Sequence, residues 1–142
     1  MMDECAATPG CVGYNGVSYL AQALATGKIG EAAVENGGGH YSLPTAGAIQ
    51  SEVSKFVPIT PANETIAMIA GPGGDGYPLV NYEYAIVSAR QRSAAKGTLI
   101  KDFLTWVIST GNGASYLGQV GFQPLPAEIK TLALAQVERI GS

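Results

Sequence analysis

Charged side chains are scarce in this sequence of 142 residues. Lys, Arg, Asp and Glu together make up 13 % of it, about half of the ~25 % that is usual in soluble domains. Eight basic residues stand against eleven acidic ones, for a net charge of −3. Binding to nucleic acid depends on basic patches that neutralise phosphates, and this balance offers none. We therefore expect no nucleic-acid partner.

Long apolar runs are also missing, since no stretch approaches the ~18 consecutive apolar residues of a membrane helix. Apolar residues nevertheless account for 46 % of the chain, too many for a disordered segment. Nineteen of the 142 residues are glycine, nearly double the ~7 % norm. The composition predicts a soluble, globular chain in which turns and close backbone approach matter.

Histidine and cysteine are few, with one histidine, His40, and two cysteines, Cys5 and Cys11. A Thr-Pro-Gly turn between the cysteines can bring them together as a disulfide. The alternative is a metal or redox pair, but the spacing is not C-x-x-C, and two thiols with one distant histidine do not complete a tetrahedral site. We predict the disulfide, no metal and no cofactor. A disulfide implies an oxidising compartment.

The first four residues do not have the features expected of a protein exported to an oxidising compartment. Met1-Met2-Asp3-Glu4 has no basic region, apolar region or cleavage site of an export signal. A mature exported protein would not normally begin with Met-Met. We therefore expect a truncated reading frame or a subcloned fragment.

Several segments carry the 3.6-residue periodicity of amphipathic helices. The first of them can end at Gly27, the second can be capped by Thr45, and the last can begin at Pro126. The predicted helical segments are Val17–Leu24, Ala46–Phe56, Lys96–Ile108, Ala114–Val120 and Pro126–Ile140.

Two segments, Glu64–Ala70 and Tyr82–Val87, are rich in residues that favour β-strands. The second is nearly apolar on both faces, which is typical of a strand inside a sheet that is covered on both sides, as in α/β proteins. Such a strand needs neighbours on either edge, and the chain offers few other candidates. Glu83 interrupts it, and we expect this carboxylate to be paired or to point outward.

The glycine-rich stretch between these segments matches a nucleotide-binding pattern by letter only. Gly71, Gly73 and Gly76 reproduce G-x-G-x-x-G, but that fingerprint must open a helix. Here Tyr77-Pro78 comes next, and Pro78 disfavours helix at the preceding residue. No serine stands in G-x-S-x-G, and we interpret His40 as a solvated loop residue. The sequence therefore predicts no catalytic residue and no enzyme.

The chain contains C-A-A-T-P-G-C-V-G-Y, N-Y-E-Y-A-I-V and F-Q-P-L-P in this order. These three and a further segment resemble motifs of the periplasmic phosphate-binding proteins of ABC phosphate import. The first is C-A-A-T-P-G-C-V-G-Y, which resembles a T-P-G-x-[IV]-G-Y segment of that family's second lobe. The Cys pair and N-Y-E-Y-A-I-V are especially similar to the mycobacterial phosphate-binding lipoproteins, which are cell-surface antigens. The matching segments are Cys5–Tyr14, Gly76–Val87, Leu99–Gly111 and Phe122–Pro126.

The resemblance implies a type II periplasmic-binding-protein fold, an α/β fold of two lobes joined by crossing strands. Because family members are more than twice as long as this chain, it implies the C-terminal part of such a fold, incomplete without an N-terminal portion. Residues 1–78 would complete the second lobe and residues 79–142 would return to the first. Val80 and Asn81 would lie near the hinge. The full-length protein would be extracytoplasmic and anchored to the cell envelope.

The family's phosphate ligands have no counterpart here. They lie in Ser/Gly/Thr-rich loops, a Ser-Asp pair and an Arg followed by Ser-Gly-Ser/Thr, and no position of this sequence matches them. The resemblance thus implies a non-enzymatic component of phosphate import, with inorganic phosphate held by the absent portion and permease subunits as partners. An antigenic or interaction remnant without transport, or a protein for another oxyanion, stays open as an alternative.

Overall fold

The computed structural model describes residues 1–141 and is mainly helical. The longest of its helices, at 15 residues, and the others described are too short or too polar to cross a membrane. The α-helices are α1 (Met2–Ala7), α2 (Leu20–Ala25), α3 (Ala46–Phe56), α4 (Ala94–Ile108), α5 (Ala114–Leu117) and α6 (Ala127–Val137). Three 3₁₀ turns adjoin them at Val17–Tyr19, Val57–Ile59 and Gly118–Val120. All five predicted helical segments are confirmed in position.

Local chemistry explains where these helices begin and end. The Thr45 hydroxyl accepts a hydrogen bond from the Ala48 amide at 3.2 Å, so the predicted N-cap of α3 is confirmed. Beyond α2, Gly27 has a φ of +66°, a left-handed conformation that costs glycine little and ends the helix as predicted. Ser93 caps α4 by accepting from the Lys96 amide at 3.3 Å, a cap that the sequence reading missed.

One antiparallel sheet of two short strands is present among the described residues. It pairs β1 (Val34–Glu35) with β2 (Tyr41–Ser42), so that Val34 lies opposite Ser42 and Glu35 opposite Tyr41. The loop between the strands contains Gly37-Gly38-Gly39, in which Gly39 has a φ of +77°. This turn reverses the chain and brings β2 back beside β1.

The two longer strands predicted from the sequence are wrong as regular strands. Residues 64–70 and 82–87 contain only one isolated antiparallel bridge, between Ile69 and Leu79. Positive φ angles at Glu64 (58°) and Ala70 (56°) interrupt the extended conformation at both ends of the first segment. A strand also takes its hydrogen bonds from a neighbour, and the described chain supplies no neighbour for the second segment.

The core is small and joins the two halves of the sequence. Its buried side chains come from α3, from the extended region that follows it and from α6, and they are Phe56, Met68, Val80, Tyr82 and Ile129. Val137 in α6 and Ile140 just after it are also buried. Many other large apolar side chains are exposed, and Ile86 is 98 % accessible. This core therefore covers only part of the apolar surface.

The predicted disulfide between Cys5 and Cys11 is confirmed. Their Cα atoms are 5.2 Å apart, inside the usual range for a disulfide. The Thr8 amide donates to the Cys5 carbonyl at 3.1 Å, and the Cys11 amide donates to the Thr8 carbonyl at 3.1 Å. Two successive turns thus fold residues 5–11 into a closed ring.

We expect reduction of this disulfide, or the Cys5→Ser/Cys11→Ser double variant, to lower the free energy of unfolding by at most about 2.4 kcal/mol. A ring of this size restricts few conformations of the unfolded chain, and no residue of α1 is buried. Urea denaturation with and without reductant measures the loss. A much larger loss would mean that residues 1–14 support the core.

Candidate functional site

Polar contacts of the chain concentrate around residues 71–76, which we call the glycine loop. Asn36, only 8 % exposed, follows β1 and reaches this loop. Its side-chain Nδ2 donates to the carbonyls of Gly74 at 2.8 Å and Gly76 at 3.1 Å. Its Oδ1 accepts from the amides of Gly38 at 3.0 Å and His40 at 3.1 Å. One amide group therefore joins the β1–β2 hairpin to the glycine loop.

Two more side chains of the hairpin hydrogen-bond the same carbonyls. The Ser42 hydroxyl donates to Gly76 O at 2.8 Å, and His40 Nδ1 lies 3.1 Å from Gly74 O. His40 is exposed, as predicted, yet it contacts the loop. These loop groups are acceptors that are already paired with donors, whereas phosphate must be bound by donors. The arrangement fixes the loop in position and does not provide the hydrogen-bond donors of a phosphate site.

On its other side the glycine loop encloses the carboxylate of Glu52, which projects from α3. Glu52 is completely buried, and neither of its carboxylate oxygens has a hydrogen-bond partner among the described residues. A Cβ on Gly71, Gly73 or Gly76 would overlap this carboxylate. The G-x-G-x-x-G spacing thus has a packing cause: three backbone positions approach one side chain. No helix follows the loop. This agrees with the sequence analysis, which rejected a nucleotide-binding interpretation because that fingerprint must open a helix.

We expect Glu52→Gln to raise the free energy of unfolding by about 1 kcal/mol. Gln keeps the shape of Glu and removes the charge, and an unpaired charged group costs more to bury than an unpaired neutral one. Chemical denaturation at pH 7 measures the change. The control is Glu83→Gln, because Glu83 is exposed and points outward as predicted. Destabilisation by Glu52→Gln would show that the loop amides donate to this carboxylate in solution.

A second buried asparagine, Asn112, positions the F-x-P-L-P segment. Its Oδ1 accepts from the Leu125 amide at 2.9 Å, and its Nδ2 is 3.5 Å from the Leu125 carbonyl. These two bonds set the chain direction immediately before α6. The sequence reading missed both Asn36 and Asn112, although each adjoins a glycine, and an asparagine beside glycine is typical of turns in which the side chain bonds backbone.

Other polar groups that the sequence drew attention to do not converge. Within residues 1–141, no group of His, Cys, Asp and Glu side chains is arranged to hold a metal ion. Arg90, Arg92 and Lys96 are exposed. Lys101 lies 3.2 Å from the Glu138 carboxylate and supports the contact between α4 and α6 rather than an anion site.

The proposed hinge residues begin an extended segment, residues 80–87. Val80 is buried in the core, whereas Asn81 is exposed. Two tyrosines tether the segment beyond Asn81. The Tyr82 hydroxyl lies 3.3 Å from the Thr60 hydroxyl, and the Tyr84 hydroxyl donates to the Glu64 carbonyl at 2.8 Å. Burial raises the pKa of both tyrosines.

A large apolar groove runs along this extended segment. Its volume is about 1790 Å³, beyond the range of about 300–1,000 Å³ that is usual for small-molecule sites. Helices α4 and α6 contribute apolar side chains to it, including Leu104, Val107, Ile129, Ala133 and Val137. Its size fits a segment of polypeptide better than a small ligand.

Comparison with known proteins finds several that are similar to this chain. No protein-family model matches the chain. The phosphate-binding protein PstS of Methanocaldococcus jannaschii is 30 % identical over 143 residues, which is 94 % of this chain and 36 % of that protein. This chain therefore spans little more than a third of the length of the curated relative that it matches.

The described structure is compatible with this similarity. Six helices and one short hairpin around a small core are compatible with a part of a larger, PstS-like binding protein. The similarity extends over nearly the whole chain, so it includes the glycine loop or its flanks as well as the helices. It is a similarity to one part of a phosphate-binding protein.

Proposed function

We propose that this chain is the C-terminal portion of the phosphate-binding component of an ABC phosphate importer. Such a component captures inorganic phosphate outside the cytoplasm and delivers it to the permease subunits, without catalysis. The observation that carries the proposal is the 30 % identity to PstS along 94 % of the chain. The disulfide between Cys5 and Cys11 agrees with an extracytoplasmic location.

In this proposal the phosphate ligands belong to the part of the binding protein outside this chain. A phosphate site needs several convergent donors, such as backbone amides, hydroxyls or an arginine. The described residues instead present carbonyls around the glycine loop, and Arg90 and Arg92 are exposed and apart from it. The chain would contribute scaffold, hinge and transporter-docking surface.

The division into lobes follows the same proposal. Residues 1–78 would complete the second lobe, residues 79–142 would return to the first, and Val80 with Asn81 would lie near the hinge. The passage from buried Val80 to the exposed residues after Tyr82 is compatible with a segment that leaves one packed unit for another. A lipid anchor, as in the mycobacterial lipoproteins that the sequence resembles, would be carried by the rest of the protein.

The test is a chimera in which this chain replaces the matching part of the Methanocaldococcus jannaschii protein. Calorimetric titration with inorganic phosphate is expected to show micromolar or tighter binding to the chimera and none to the isolated chain. The parent protein is the positive control, and sulfate tests whether another oxyanion is preferred. A chimera that does not bind phosphate, whether folded or not, would contradict the proposal. Micromolar binding by the isolated chain would contradict the absence of ligands.

A further inference from the structure

Three of the five asparagines in the sequence are followed directly by glycine. This dipeptide is chemically labile, because the backbone nitrogen of the glycine can attack the side-chain amide of the asparagine. Glycine has no Cβ, and its conformational freedom lets the two groups meet. The three sites share this local chemistry, so differences between them in the folded chain come from the structure. The dipeptides are Asn15-Gly16, Asn36-Gly37 and Asn112-Gly113.

The structure holds Asn36 in a conformation that opposes this reaction. Its side chain is buried and makes four hydrogen bonds, two of them to carbonyls of the glycine loop. The backbone is held too, since the Asn36 amide donates to the His40 carbonyl at 2.8 Å and the Asn36 carbonyl accepts from the Gly39 amide at 3.0 Å. These bonds must break before the side-chain carbon can reach the Gly37 nitrogen.

Asn112 is protected at both of the groups that would react. Its buried side chain bonds the Leu125 amide at 2.9 Å and lies 3.5 Å from the Leu125 carbonyl. The Gly113 amide, which would be the attacking group, donates to the Thr110 carbonyl at 3.1 Å. The side chain and the nucleophile are therefore both held by hydrogen bonds in the folded chain.

Asn15 has neither form of protection. It is exposed, and within residues 1–141 no hydrogen bond involves its side chain or the Gly16 amide. It lies between the disulfide ring and the Val17–Tyr19 turn, in a stretch without buried residues. A local rearrangement at Asn15 therefore does not disturb the core.

We propose that Asn15 is a site of spontaneous covalent modification in the folded protein, and that Asn36 and Asn112 are protected while the chain stays folded. The Gly16 nitrogen gives its proton to water and forms a bond to Cγ of Asn15. The bond from Cγ to Nδ2 breaks, and that nitrogen takes up a proton and leaves as ammonia. Water then opens the cyclic imide at either of its two carbonyls and gives aspartate or isoaspartate. The balance is one water consumed and one ammonia released.

Either product changes the chain beside the apolar groove. Asn15 is one of the residues that line this groove, so the modification adds a negative charge there. Isoaspartate also routes the backbone through the side-chain carbons, which lengthens the link between the disulfide ring and the Val17–Tyr19 turn. The same reaction at Asn36 in an unfolded chain would remove the donor that bonds the glycine loop. Folding thus restricts the modification to a site that tolerates it.

Peptide mapping by mass spectrometry measures all three sites in one sample of the intact chain. During incubation at mildly alkaline pH, we expect Asn15 to be converted on the order of 100-fold faster than Asn36 or Asn112 in the folded chain. In concentrated urea the three rates should agree to within a few-fold, because the dipeptide alone then determines them. Equal rates in the folded chain overturn the proposal, and so does a rate difference that persists unchanged in urea.

Gly16→Ala tests the reaction at Asn15. Gly16 has a φ of −63°, and an added Cβ would lie 3.8 Å from its nearest neighbour, the Ser18 hydroxyl, so alanine fits. The added carbon hinders the approach of the backbone nitrogen, and we expect conversion of Asn15 to slow by about 10-fold or more. Gly30→Ala is the matched control, because an added Cβ there meets no atom within 4 Å. Equal effects of the two variants overturn the proposal.

Labelling with an isoaspartate-specific carboxyl methyltransferase identifies the route through the imide, since direct hydrolysis of the side chain gives aspartate only. We expect the label at Asn15 in the folded chain, and at all three sites after incubation in urea. Aspartate without isoaspartate at Asn15 overturns the proposed route. None of these readouts depends on phosphate import, so the modification and the proposed function can fail separately.

Discussion

Gly73→Ala is expected to lower the free energy of unfolding by about 3 kcal/mol, the upper end of the usual cost of overpacking. The added carbon would occupy the place of the Glu52 carboxylate. That side chain is fully buried on α3, and Gly71 and Gly76 approach the same carboxylate, so we expect the helix or the loop to shift. Urea denaturation of the isolated chain measures the loss.

Gly74→Ala is the matched control for this variant. It makes the same change one residue along the glycine loop, where an added Cβ would meet no atom within 4 Å, and its effect should stay within about 0.5 kcal/mol. In the double variant Gly73→Ala/Glu52→Ala the overlap is absent, so the two changes should be strongly non-additive. Equal losses at Gly73 and Gly74 would show that the loop does not enclose Glu52 in solution.

Asn36→Asp is expected to cost about 3 kcal/mol as well. The two side chains have the same shape, and aspartate can still accept from the Gly38 and His40 amides. It cannot donate to the carbonyls of Gly74 and Gly76, which lie 2.8 and 3.1 Å from Asn36 Nδ2. A buried carboxylate would instead face two carbonyl oxygens, and an uncompensated buried charge costs several kcal/mol.

The control for this second variant is Asn15→Asp, the same change at an exposed residue, which should alter stability by about 0.5 kcal/mol or less. Thermal unfolding followed by circular dichroism compares the two variants with the parent. If the Asn36→Asp variant has the same melting temperature as the parent, the hydrogen bonds between the hairpin and the glycine loop contribute nothing to stability.

The helices were predictable from the sequence because their signals are local. Thr45 precedes the apolar face of α3 and Gly27 follows α2, so each end is encoded within a few residues of the helix. The disulfide is local in the same sense, since Cys5 and Cys11 are six positions apart. In each case the groups that interact are near one another in the chain before any tertiary structure forms.

The strands and the polar cluster were not predictable in the same way. The composition of Tyr82–Val87 favours a strand, but a strand forms only with a partner. The local sequence of the segment does not specify that partner. The contact between Asn36 and the glycine loop joins residues 38 and 40 positions apart. Nothing in the spacing indicates that Glu52 lies against Gly71, Gly73 and Gly76. These features depend on how α3, the hairpin and the loop pack together.

The exposed segment 80–87 also bears on the lifetime of the isolated chain in a cell. Proteases bind their substrates as extended strands, and an unpaired, accessible stretch is where they cut first. After a single cut there, the part that holds the disulfide and the glycine loop would stay joined to the part that holds α4 to α6 only through the shared core. The segment that follows the proposed hinge is thus also the point at which we expect the isolated chain to be cut first.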